Sequence, residues 1–105
     1  MRPIAIQSIN YRDMQITALF NQHWFQEDIV ELHQLLLSKI PEYRVKEVTQ
    51  GADREDIRFQ WREAEFILHF DYYSQSCWLS VQDEINVLKI QSLFNLLKKS
   101  QSSHV

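Results

Sequence analysis

The stretch IRFQWREAEFILHFDYYSQSCWLSV, residues 57–81, decides the fold, because it predicts three adjacent antiparallel strands. Polar segments at residues 62–65 and 73–76 divide it into runs in which apolar and polar residues alternate. With those segments as turns, Trp61 faces Phe66 in the first hairpin and Tyr72 faces Cys77 in the second. Both registers gather apolar side chains on one face, and a shift by one residue would destroy the match. We therefore expect a meander with one hydrophobic face.

The same alternation gives the meander a second, polar face, which we call the outer face. On it Arg58 is expected to meet His69, and His69 to meet Ser80, while Asp71 lies beside Trp78. Trp78, with Tyr73 at the turn and Arg58 and Arg62 nearby, is the mixture enriched in interface hot spots. The candidate binding residues are Arg54, Arg58, His69, Asp71, Tyr73 and Trp78.

The N-terminal segment predicts a further hairpin. Residues 4–11 and 14–20 are rich in apolar and β-branched side chains and are separated by only two residues. If Tyr11 faces Met14, one face of this hairpin is apolar for part of its length. We expect this hairpin to extend the same sheet.

The remaining segments predict one edge strand and two helices. Residues 43–50 alternate loosely and carry charge, as edge strands do, and Gly51 after them is expected to take a positive φ. Apolar residues recur at helical spacing over residues 25–40 and again over residues 83–99. A sheet with one apolar face needs cover, and these two helices supply it.

The sequence thus predicts a single α+β domain over residues 1–99, followed by a flexible tail at residues 100–105. We expect a two-layer sandwich in which both helices cover one face of a mostly antiparallel sheet, in the order ββαββββα. A length of 105 residues suits one domain with one core.

Composition narrows the classes of function. The net charge of −3 and the scattered basic residues lack the positive stripe that nucleic-acid binding needs, so no nucleic-acid partner is expected. No apolar run is long enough to span a bilayer, and the N-terminus lacks the apolar core of a signal peptide. The single cysteine excludes an internal disulfide, as is usual for proteins of a reducing compartment. We expect a cytoplasmic protein without a membrane partner.

The meander contains residues for three possible reactive sites. Ser80, His69 and Asp71 have the residue types of a nucleophilic triad, but residues 69 and 71 lie about 7 Å apart along one strand face. His69 and Asp71, with Asp56 across the strand, would make a metal site that a neighbouring arginine disfavours. Cys77 points towards the core, where burial makes a thiol inert. We expect no catalytic residue, no metal and no cofactor.

The tetrapeptide GADR at residues 51–54, with the later SxSCWL pattern at residues 74–79, resembles a small bacterial domain family of unknown function, domain of unknown function 3630. The resemblance covers nearly the whole chain. It implies a single bacterial intracellular domain and transfers no catalytic residue, since the family has no assigned activity.

Two functional hypotheses remain. The first is a non-catalytic interaction domain that binds a protein partner or a second copy of itself through the outer face or a sheet edge. The alternative is a small enzyme or a binder of an anionic ligand that uses Arg58, His69, Asp71 and Arg54, since arginine pairs bidentately with carboxylate or phosphate. A loop such as residues 51–56 could also cover the outer face.

Overall fold

The computed structural model describes residues 3–82 and 87–102. The described elements are β1 (Ile6–Arg12), β2 (Gln15–Phe20), α1 (Ile29–Leu37, preceded by a 3-10 turn at Gln26–Asp28), β3 (Arg44–Gln50), β4 (Arg54–Trp61), β5 (Ala64–Asp71), β6 (Ser76–Val81) and α2 (Val87–Ser102). This confirms the α+β class and the order ββαββββα. The predicted start of the second helix, residues 83–86, and the end of the predicted tail, residues 103–105, lie outside the described residues.

The six described strands form one sheet in the order β1-β2-β6-β5-β4-β3, and every neighbouring pair is antiparallel. Pairing of β2 with β6 joins the N-terminal hairpin to the meander. Strands β1 and β3 are therefore the edges, and all seven residues of β3 are exposed, which confirms the predicted edge strand.

The core lies between the helices and one face of the sheet, which we call the inner face. Alternate residues of the meander are fully buried there, and each helix contributes an apolar stripe. The cluster includes Ile57, Phe59, Phe66, Leu68, Phe70, Cys77 and Leu79 from the meander, Ile29, Leu32 and Leu36 from α1, and Ile90, Leu93 and Leu97 from α2. No helix in the described parts of the chain is long and apolar enough to cross a membrane.

The predicted hairpin registers were wrong by two residues. Trp61 pairs with Ala64 rather than Phe66, Cys77 pairs with Phe70 rather than Tyr72, and the N-terminal hairpin is shifted in the same way. Side chains alternate with a period of two, so a shift of two keeps every residue on its predicted face and changes only its cross-strand neighbours.

Two of the three shifts originate in tight turns, whereas in the third the four-residue β5–β6 turn covers residues 72–75 rather than 73–76. Asp13 and Met14 have φ values of 51° and 62°, and Arg62 and Glu63 have values of 50° and 66°. Positive φ at both central residues defines the two-residue hairpin turn that matches strand twist, usually made by Asn-Gly. The expectation for Gly51 was also wrong, because no described glycine has a positive φ.

Candidate functional site

Three of the six candidate residues meet on the outer face, and three lie apart from them. His69 and Trp78 pair across β5 and β6, and the side chain of Arg54 on β4 reaches the Trp78 ring. Arg58 belongs to a separate ionic network, whereas Asp71 and Tyr73 belong to the β5–β6 turn.

The three residues that meet form an aromatic stack. The rings of His69 and Trp78, which are paired in the strand register, lie 4.7 Å apart between centroids at an interplanar angle of 14°. The guanidinium of Arg54 lies 5.5 Å from the centre of the Trp78 ring, within the range of a cation–π contact. We call this arrangement the Arg54–Trp78–His69 stack.

His69 is held by two hydrogen bonds from neighbouring strands. Its Nδ1 lies 2.9 Å from Oδ1 of Asp56, and its Nε2 lies 2.9 Å from Oγ of Ser80. Because an ionised carboxylate only accepts, Nδ1 carries the proton, and Nε2 of the neutral ring accepts from the Ser80 hydroxyl. The side chain is only 14% exposed, and both ring nitrogens have a hydrogen-bond partner.

Electrostatics favour the neutral ring. Burial lowers the pKa of His69, and the positive charge of Arg54 lowers it further, while the hydrogen bond and charge of Asp56 oppose both effects. The guanidinium of Arg54 is also 3.6 Å from the Asp56 carboxylate, which is therefore shared between arginine and histidine. The imidazole is consequently uncharged at neutral pH.

The order Asp56–His69–Ser80 matches the hydrogen-bond order of a nucleophilic triad. The carboxylate is Asp56 on β4, and not Asp71, which the sequence had suggested for that role. Strand β6 is paired with β5 on one side and β2 on the other, so its backbone N–H groups are used in the sheet. An oxyanion hole needs donors that are free to point at developing charge, and a paired central strand does not supply them.

Arg58 is satisfied by carboxylates on both sides. Its Nη1 donates to Glu65 at 2.7 Å and its Nη2 donates to Glu47 at 3.2 Å. These hydrogen bonds raise the pKa of Arg58. The residue opposite Arg58 on β5 is Ile67, so the predicted contact with His69 was wrong. A shallow cleft of about 250 Å³ lies beside this ion network on the outer face.

Asp71 and Tyr73 mark the β5–β6 turn. Oδ1 of Asp71 accepts a 3.4 Å hydrogen bond from the backbone of Ser74, and Asp71 pairs with Arg54 in the strand register. Tyr73 is 80% exposed at the tip of the turn. These two residues therefore lie at the end of the outer face, beside Arg54 but apart from His69.

Sequence reasoning missed Gln75, which holds this turn in place. Its Oε1 accepts from the backbone N–H of Trp24, and its Nε2 donates to the carbonyls of Trp24 and Tyr72. The contact with Trp24 spans 51 positions of sequence, and no local pattern indicates it. A second cleft, of about 450 Å³, lies nearby and is lined in part by His23 and Phe25.

Neither a metal site nor a reactive thiol emerges in the described parts of the chain. No group of three or more His, Cys, Asp or Glu residues among them is arranged to hold a metal ion. Cys77 is fully buried, and this burial raises the pKa of its thiol well above the ordinary range. A buried, protonated thiol is a poor nucleophile.

Comparison with known proteins gives one match. The model of a family described as protein of unknown function (DUF3630) matches residues 6–98, which includes every strand and most of α2. No curated protein and no solved structure matches the chain.

Proposed function

We propose that this chain, which belongs to the DUF3630 family of proteins of unknown function, is a non-catalytic interaction module that binds a protein partner through the outer face of its sheet. The observation that carries the proposal is the Arg54–Trp78–His69 stack, which lies on the face opposite the one that contributes to the core. Trp78 is not part of the core cluster, so packing of the core does not explain a tryptophan at this position.

The stack is suited to an interface because it is rigid before any partner arrives. Tryptophan and arginine dominate interface hot spots, and side chains that are already immobilised lose little conformational freedom on binding. His69 is fixed by two hydrogen bonds and fixes Trp78 in turn. Around the stack, Leu19 is 45% exposed and Tyr73 is 80% exposed, which extends the patch across four strands and the turn.

The charges of the outer face indicate the kind of partner. Its arginines are matched by carboxylates within the face itself, as Arg54 is by Asp56 and Arg58 by Glu47. Arginines that are already paired with carboxylates offer little electrostatic attraction to nucleic acid. We therefore propose a protein partner with an aromatic and polar surface.

The proposal includes a bacterial, cytoplasmic setting. The single cysteine is buried and makes no disulfide, which is the usual condition of proteins in a reducing compartment. This setting is tested by fractionating a native bacterium and detecting the protein in the cytoplasmic fraction.

The interaction is tested with Trp78→Ala against Leu88→Ala, a control at a 76% exposed position of α2. A photo-cross-linking residue at position 73 first captures the partner, which is then purified and titrated by calorimetry. Truncating a hot-spot residue costs about 2 kcal/mol or more, so Trp78→Ala should weaken Kd roughly thirtyfold while Leu88→Ala leaves it unchanged. Equal Kd values for wild type and Trp78→Ala, with both proteins folded, would overturn the proposal.

A second candidate function is supported by the two 2.9 Å hydrogen bonds of the Asp56–His69–Ser80 chain. In this reading Ser80 is a nucleophile activated by His69. A fluorophosphonate probe tests it directly: Oγ of Ser80 forms a bond to phosphorus, the P–F bond breaks, fluoride leaves, and the serine proton passes to Nε2 of His69.

If Ser80 is a nucleophile, the probe leaves one covalent adduct on Ser80, seen by intact-mass spectrometry and lost in Ser80→Ala and His69→Gln. An unlabelled wild-type protein would exclude the nucleophile reading and leave the interaction proposal untouched. Labelling that persists in Ser80→Ala would equally exclude it.

A further inference from the structure

The two edges of the sheet differ in how they are protected. At β1, Lys98 of α2 donates from Nζ to the carbonyl of Ile9 at 3.2 Å, and the helix packs along that strand. At β3, all seven residues are exposed, and the strand is guarded only by its charged residues and a bulge, without proline. An exposed edge strand presents N–H and C=O groups that can pair with another strand.

The apolar residues of β3 extend the inner face beyond the core. Val45 lies opposite Phe59, and Val48 lies opposite Ile57, two residues that are fully buried on that face. Yet Val45 and Val48 are 45% and 46% exposed. They are the apolar side chains that a further strand at this edge would cover.

A bulge places both valines on one face. The register shifts between Val45 and Glu47, so Lys46 has no partner of its own on β4. In a regular strand, residues 45 and 48 would point to opposite faces, because their separation is odd. A bulge sets two residues against one and restores both valines to the inner face.

This pattern makes β3 complementary to itself. In an antiparallel pair of two β3 strands with the two-fold axis between Lys46 and Glu47, Val45 faces Val48 of the other copy and Lys46 faces Glu47 of the other copy. Each pair occurs twice, so the register joins two apolar pairs and two pairs of opposite charge. Moving the axis onto Lys46 or onto Glu47 would instead set like charges against each other.

We propose that β3 is a homodimerisation edge, and that two copies of the chain pair through it to form one continuous twelve-stranded sheet. The partner strand is β3 of a second copy, because the charges and valines of β3 match those of the same strand running in the opposite direction. A strand pair seven residues long buries less than a standard interface of about 1,600 Å², so the dimer is concentration-dependent. It uses the β3 edge rather than the Arg54–Trp78–His69 stack of the proposed function, although Glu47 also accepts a hydrogen bond from Arg58 on the outer face.

The test uses charge exchange at residues 46 and 47. Lys46→Glu and Glu47→Lys each bring like charges together in both pairs, whereas a mixture of the two variants restores opposite charges in a heterodimer. Sedimentation velocity across a range of concentrations measures the mass relative to the 12.7 kDa monomer. Arg12→Glu is the matched control, since its side chain is 90% exposed on the opposite edge strand.

We expect wild type and Arg12→Glu to dimerise alike, each single variant to dimerise about tenfold more weakly, and the mixture to regain the wild-type affinity. A wild type that stays monomeric at every concentration overturns the proposal. So does a dimer that both single variants retain. Loss of the dimer in Trp78→Ala would assign it to the outer face instead, whereas retention there separates this inference from the proposed function.

Discussion

Replacing Gln75 by alanine will destabilise the whole fold, although residue 75 lies in a turn. The side chain makes three hydrogen bonds to main-chain groups, at 3.0 and 2.9 Å to Trp24 and at 3.0 Å to Tyr72. They tie the β5–β6 turn to the segment that leads into α1, where Trp24 is 2% exposed and packs edge-on against Phe70. At a net value of about 0.5–1.5 kcal/mol for each bond, the loss amounts to about 1.5–4.5 kcal/mol. That is a large part of a total stability of roughly 5–15 kcal/mol.

A second variant separates these bonds from backbone strain. Gln75 has a φ of 55°, a conformation that costs a non-glycine residue about 1 kcal/mol. Gln75→Gly should therefore be about 1 kcal/mol less damaging than Gln75→Ala. Urea denaturation measures both variants, with Tyr73→Ala as the control, because Tyr73 is 80% exposed in the same turn. A loss below about 0.5 kcal/mol for Gln75→Ala, the range of an ordinary surface substitution, would refute the reasoning.

Four further predictions follow from individual side chains. Glu63→Gly should raise the free energy of unfolding in urea by about 0.5–1 kcal/mol, because a φ of 66° strains any residue but glycine. Asp56→Asn should lower the pKa of His69, followed by its NMR titration, because the variant removes the carboxylate charge that raises it and weakens the hydrogen bond to Nδ1. Burial lowers the pKa of His33 and His69 from the ordinary 6.5, so the unfolded chain binds protons that the folded chain does not. Stability should therefore fall as the pH drops below about 6.5 and level off below the folded-state pKa values, and His33→Gln should flatten that dependence in urea titrations at several pH values. Phe66→Ala, which empties a fully buried site, should cost about 3–5 kcal/mol and lower the Tm by more than about 10 °C in a thermal melt.

The faces of the sheet could be predicted from the sequence, whereas the cross-strand neighbours could not. Because side chains alternate with a period of two, Phe59 and Phe66 lie on the inner face in the true register and in any register shifted from it by two residues. The register itself depends on where the chain turns. Arg62 and Glu63 make a turn that sequence statistics associate with Asn-Gly, so their residue types give no sign of it. The longer turn at residues 62–65 was the natural but incorrect choice.

The same two-residue error decided which site residues were predicted to meet. It set Arg58 opposite His69, although Asp56 occupies that position. It also set Asp71 opposite Trp78, although His69 lies directly across from Trp78 and Asp71 pairs with Ser76. The composition of the outer face was therefore predictable, whereas its geometry required the turn conformations.

The geometry also bears on the choice between a protein partner and an anionic ligand. An anion at Arg58 would have to displace two carboxylates that already hold it at 2.7 and 3.2 Å. His69 adds no positive charge, because burial keeps its ring neutral, and Asp71 would repel an anion near the turn. Arg54 is half exposed but is shared with Asp56 and Trp78. The arginines of the outer face are paired with carboxylates of the same face, and Tyr73 is 80% exposed at its end, which favours a protein surface over an anionic ligand.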